Sequence, residues 1–170
     1  MRRLILFRHA KTEARPPGRE DFERRLVERG RADAARMGAV LADAGLVPDL
    51  ALVSPAARAR ETWELAAPAF PRARVEFRKA LYDASVEDVA AEIAEDTEAA
   101  DTVMVVGHNP SLHELAVNLL VDNYGSAADV ERLSAGFPTS AAAVFQADLG
   151  GRWALEALFH VRAYRGADSE

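Results

Sequence analysis

The sequence predicts an α/β fold: a three-layer sandwich with a mostly parallel central sheet, helices on both faces and a C-terminal β-hairpin. Three observations predict it. Short, continuous apolar runs at 4–7, 50–53 and 102–106 suit strands buried on both faces. Stretches of helix-forming composition separate those runs. Two further runs, 141–147 and 153–159, flank Gly150-Gly151 and read as a hairpin. The chain has 170 residues, enough for one domain spanning 1–170 with a real core.

The elements follow in order. Residues 4–7 form the first strand, and the polar stretch 12–25, with Pro16, Pro17 and Gly18 inside it, reads as a loop. A helix is expected over 28–44, with Met37, Val40 and Leu41 on its apolar side, Gly45 to end it and Pro48 beyond. After the strand at 50–53, Ser54-Pro55 reads as an N-cap and first helical residue, opening a helix that runs to about Ala67. A strand at 74–77, a helix at 86–99 and the strand at 102–106 come next. Asn109-Pro110 repeats the cap-plus-proline start, and Leu112, Leu115, Ala116, Leu119 and Leu120 form a helical stripe. Residues 122–139 read as loop before the hairpin.

Composition excludes several functions. There is no cysteine, so disulfides, thiolate metal sites and cysteine nucleophiles are ruled out. The net charge of −6 argues against nucleic-acid binding. The four-residue apolar run after Arg2-Arg3 is too short for a signal peptide, and no stretch approaches a membrane span. A soluble, cytoplasmic protein is expected. Its positive charge is concentrated near the N-terminus, where Arg2, Arg3, Arg8, Lys11, Arg15, Arg19, Arg24, Arg25, Arg29 and Arg31 fall. Most of these suit solvated surface, but a small anion is a candidate ligand.

Ligand sites in such sheets form beyond the carboxyl ends of the strands. Three ends carry cationic or imidazole side chains: Arg8-His9-Ala10-Lys11, Ser54-Pro55 with Arg58 and Arg60, and Gly107-His108-Asn109-Pro110. Arg58 falls in the first turn of a helix, where the dipole disfavours a cation. Arg8, Arg58 and two imidazoles would repel one another in an empty site. A bound phosphate reverses that balance, and the arginine fork matches its oxygens. Arg60 suits an ion pair with Glu64, and His160 suits a structural role. His113-Glu114 is not a zinc-protease motif, because Val117 stands where the second histidine belongs. No metal-ligand spacing and no phosphate-binding Gly-rich loop are present, so neither metal nor cofactor is expected.

Together these motifs resemble the histidine phosphatase (phosphoglycerate-mutase-like) superfamily. Arg8-His9 after a first strand, Ser54-Pro55 with Arg58 and Thr62, and Gly107-His108-Asn109-Pro110 carry the resemblance over most of the chain. The short length and the Arg8-His9-Ala10-Lys11 form are similar to the phosphohistidine phosphatase SixA subgroup. The resemblance implies that His9 is a nucleophile, that Arg8, Arg58 and His108 hold the phosphoryl oxygens, and that Lys11 and Asn109 flank the substrate. Ala10 stands where the wider superfamily has glycine. Asp83 is the positional match for a general acid, or else it caps the helix after it. Only 12–25 and 122–139 could overhang the site, so a phosphorylated protein is the expected substrate. A small phosphate ester, or phosphate binding without catalysis, is the alternative.

Overall fold

Four apolar residues in a row leave a strand no polar face. Leu4, Ile5, Leu6 and Phe7 are all buried in β1 (Arg3–Arg8), and the same holds across β2 (Leu50–Val53). With β3 (Arg74–Phe77), β4 (Thr102–Gly107), β5 (Ala142–Ala147) and β6 (Trp153–Phe159), they form one six-stranded sheet in the order β3-β2-β4-β1-β5-β6. The first four strands in that order run parallel, and β5 and β6 add an antiparallel hairpin at one side. This computed structural model describes residues 1–14, 18, 20–95 and 100–165.

Alternation along each strand divides the core in two. Leu4, Leu6, Leu52, Val103 and Val105 face one layer, built from α3 (Val86–Glu95), α4 (Ser111–Asp122) and α5 (Ala127–Ser134). Ile5, Phe7, Val53, Met104 and Val106 face the other, built from α1 (Glu28–Asp43) and α2 (Ala57–Ala66). The three-layer expectation therefore holds.

Several local expectations need correction. Ser54 does not cap α2, which begins only at Ala57 with Ala56 at its N-cap. Asn109 does not cap α4 either; the helix starts at Ser111 after a cis Asn109-Pro110 bond. In both places the residues of the expected caps are spent on the site instead. Residues 122–139 are not all loop. Ser126 accepts a hydrogen bond from the Asp129 N–H (3.1 Å) and caps α5, whose Leu133 is buried. The loop at 12–25 contains a short 3-10 turn, Asp21–Glu23. Pro16, Pro17 and the expected helical end at 96–99 lie outside the described residues.

Candidate active site

Register brings the motifs together. Arg8 pairs with Gly107 across β1 and β4, and Val53 pairs with Val106 across β2 and β4. Three parallel strands thus end within one residue of one another, and His9, Ser54 and His108 each follow directly. The ladder continues into them: His9 N–H donates to the Gly107 carbonyl (3.0 Å) and Ser54 N–H to the Val106 carbonyl (3.0 Å). Thr62 then ties the loop after β1 to α2. Its hydroxyl accepts from Ala10 N–H (2.9 Å) and donates to the Arg58 carbonyl (2.6 Å).

The two imidazoles lie side by side, ring centroids 5.1 Å apart. His9 is buried, and its Nδ1 donates to the Ala10 carbonyl at 2.8 Å. A main-chain carbonyl can only accept, so this contact places the proton on Nδ1 and leaves Nε2 with a lone pair. Burial pushes the His9 pKa down to about 3; the Ala10 bond opposes this, and the charges of Arg58, Arg8 and Arg24 add to it. His108 is likewise lowered to about 3, by burial first and then by His9 and Arg58. Its Nε2 meets the Ser54 hydroxyl at 2.7 Å, and its Nδ1 is buried without a partner.

The cations surround this pair. Arg8 donates through Nη1 to the Phe137 carbonyl (2.8 Å), and its Nε is buried and unpaired. Asn109 Nδ2 donates to the same carbonyl (2.9 Å). Arg58, in the first turn of α2, is 7% exposed and bonded to Asp21 by Nη1 to the main-chain oxygen (2.7 Å) and Nη2 to Oδ2 (2.9 Å). Lys11 is exposed, and its main-chain oxygen accepts from Val27 N–H (3.1 Å). Asp83 is exposed at φ 55 and makes no hydrogen bond or ion pair to the other expected site residues among those described. It does not cap α3: Ser85 and Asp88 form a reciprocal cap there. Among the described residues, no group of His, Asp or Glu side chains could hold a metal ion.

Three residues make contacts here that sequence reasoning did not assign. Asp21 bridges Arg58 and Arg24, with Oδ1 2.8 Å from Arg24 Nη1. Tyr82 packs beside His108 and Arg58. Its ring lies 6.0 Å from His108 and 5.9 Å from the Arg58 guanidinium, and its hydroxyl is 3.5 Å from Asp21 Oδ2. Burial would raise the Asp21 pKa, but the bonds and charges of Arg24 and Arg58 outweigh it and hold the carboxyl below its usual range. Nothing local marks Asp21 or Arg24 in a polar loop. The third, Ser54, was visible, but its hydroxyl serves His108 rather than a helix end.

A sequence model of the histidine phosphatase superfamily (branch 1) matches residues 4–98, a stretch that contains Arg8, His9, Arg58 and Thr62. The chain belongs to the histidine phosphatase superfamily. It is 37% identical over 150 residues to the uncharacterized protein Rv1276c of Mycobacterium tuberculosis, covering 86% of this chain and 89% of that one. It is 32% identical over 167 residues to the chloroplastic protein At3g52155 of Arabidopsis thaliana, covering 92% and 77%. Among solved structures it is similar to a protein assigned as phosphohistidine phosphatase SixA from Agrobacterium tumefaciens: 34% identity, TM-score 0.83, 94% of this chain and 97% of that one. A SixA complexed with tungstate shares the fold at 22% identity and TM-score 0.78, over 96% and 99%. Within the superfamily the chain is SixA-like, and it is a metal-independent phosphatase by family. The family match stops before His108 and Asn109, which enter the cluster through the pairing of β4 with β1.

Proposed function

We propose that the chain hydrolyses phosphohistidine in proteins, passing the phosphoryl group through a covalent phosphohistidine at His9. The state of the His9 ring carries this reading. The Nδ1–H bond to Ala10 leaves the Nε2 lone pair free, and burial among cations keeps the ring neutral. Nε2 attacks phosphorus in line as the bond to the leaving group breaks. Arg8 and Arg58 receive the charge on the equatorial oxygens. If the Ser54 hydroxyl donates to His108 Nε2, the unpartnered Nδ1 carries a proton and donates to an oxygen as well. A bare nitrogen lone pair there would repel the anion. Lys11 and Asn109 flank the substrate at the two sides of the opening. Water then attacks phosphorus, the bond to Nε2 breaks, and both protons of the water leave with the phosphate.

The carboxylates favour a labile substrate over a phosphate ester. Asp21, the carboxylate bonded to Arg58, is held ionised and so has no proton to give. Asp83 is exposed and makes no hydrogen bond or ion pair to the other expected site residues among those described. A phosphohistidine already protonated on its second nitrogen departs as neutral imidazole and needs no acid, whereas an alkyl ester does. The same preparation should be assayed on a phosphohistidine peptide, p-nitrophenyl phosphate and a panel of sugar phosphates. The expected order of kcat/KM is peptide first and sugar phosphates last. A sugar phosphate turned over faster than the peptide would overturn the substrate class. Failure to label His9 with phosphate during turnover would overturn the nucleophile.

A further inference from the structure

Two adjoining hollows of about 560 and 180 Å³ share Pro138, His160 and Arg162, and the larger one reaches Arg8. Arg8, Arg29, Arg162, Arg165, His113 and His160 line them, and no Asp or Glu does. That is unexpected in a chain of net charge −6. Arg165 is neutralised by Asp33, with Nε 3.0 Å from Oδ1. His113 donates to the Leu133 carbonyl (2.7 Å). Arg29 and Arg162 are exposed, and neither has a carboxylate partner among the described residues. The Nε2 atom of His160 is buried and unbonded, as are Arg8 Nε and Asn109 Oδ1 at the near end. Burial and the neighbouring charges of Arg162 and Arg132 lower the His160 pKa, so the ring is a neutral hydrogen-bonding group.

We propose that these hollows receive an acidic segment of the phosphorylated substrate, with carboxylates near the phosphorylated residue meeting Arg162 and Arg29. This deepens the reading above and rests on it. Arg8 belongs to both places, so a chain whose phosphoryl group lies at His9 continues directly past Asn109 and Phe137 into the hollow. The free charges are spread over two cavities rather than gathered at one point. That suits separate carboxylates along a peptide better than one compact dianion. A local cationic patch also gives an acidic protein a way to steer an acidic partner into one orientation.

The test uses phosphohistidine peptides that differ only in Glu or Gln beside the phosphorylated residue, with the full chain and its Arg29→Glu/Arg162→Glu variant. The wild type is expected to favour the Glu peptide by about fivefold in kcat/KM, mainly through KM, with the preference fading at high salt. The variant should lose or reverse that preference while hydrolysing p-nitrophenyl phosphate normally, which also controls for folding. Fluorescence anisotropy of a labelled, unphosphorylated acidic peptide reads the hollow without any turnover; it should bind the wild type and not the variant. Equal kinetics for Glu and Gln peptides, unchanged binding by the variant, or preference for a small bisphosphate over both peptides would overturn the proposal. Failure of the substrate class instead appears as peptide binding that depends on Arg162 and Arg29 without turnover of any phosphohistidine peptide.

Discussion

At the scale of single residues, the site depends on two imidazoles kept neutral by burial. His9→Ala is expected to abolish turnover and keep the thermal midpoint near that of the wild type, since the ring lies at a strand end rather than within either apolar layer of the core. Substantial residual turnover would reject His9 as nucleophile. The pH dependence of stability has a definite sign. With His9 and His108 both lowered to about 3, the unfolded chain binds more protons than the folded one between pH 6.5 and pH 3. Stability should therefore fall as pH drops below about 6.5, by roughly 1 kcal/mol per pH unit for each ring. Thermal melts from pH 7 to 5 should show this loss in the wild type and less of it in His9→Asn/His108→Asn; parallel curves would contradict the neutral-pair reading. Asp83→Asn separates two roles. The exposed, positive-φ position tolerates Asn, so folding should be unchanged. Hydrolysis of phosphohistidine and p-nitrophenyl phosphate is expected to persist. A selective loss of ~10²–10⁴-fold on an alkyl phosphate would establish Asp83 as the acid.

At the scale of elements, the site is held by contacts between segments distant in sequence. Thr62 is the clearest case, because one hydroxyl joins the end of β1 to the first turn of α2. Thr62→Val keeps the shape but strands the buried Ala10 N–H, at a cost of about 1–3 kcal/mol. It should also lower kcat by loosening His9 against Arg58. A destabilised variant with unchanged kcat would make the clamp purely structural. The packing of α1 on α2 has a similar dependence. A Cβ on Gly38 would come within 2.8 Å of the Ala66 main chain. Gly→Ala in a helix interior ordinarily stabilises by about 0.5–1 kcal/mol. Here the backbone contact should reverse the sign, and calorimetry of Gly38→Ala reads the result directly. Boundaries of the buried strands were legible because their apolar runs begin and end sharply. The starts of α2 and α4 were not. Ser54-Pro55 and Asn109-Pro110 satisfy the local rules for a helix start, yet Ser54 and Asn109 bond to His108 and Phe137 instead. The α5 helix was overlooked because glycines and small polar residues surround a short capped segment.

At the scale of the whole molecule, a basic cluster sits at one edge of a chain of net charge −6. Phosphate or vanadate binding only the folded state at 100 times its dissociation constant should stabilise it by about 2.7 kcal/mol. Absence of any shift in the melting curve at saturating vanadate would reject the anion site. Activity should survive EDTA; a loss restored by a divalent ion would refute the metal-independent mechanism. The sequence alone determined the succession of the six strands and of α1 to α4 along the chain, the motifs at three strand ends and the family, because each is a local pattern of burial or spacing. It also indicated an anion, since Arg8, Arg58, His9 and His108 fall where strands release their side chains. Only the tertiary structure decided which proton His9 carries, that Ser54 serves His108, and that Asp21 bridges Arg24 and Arg58. The hollows lined by Arg162 and Arg29, which have no carboxylate partner among the described residues, were equally hidden. Strand register brings together groups a hundred residues apart, and their hydrogen bonds and pKa values follow from neighbours that no local pattern names.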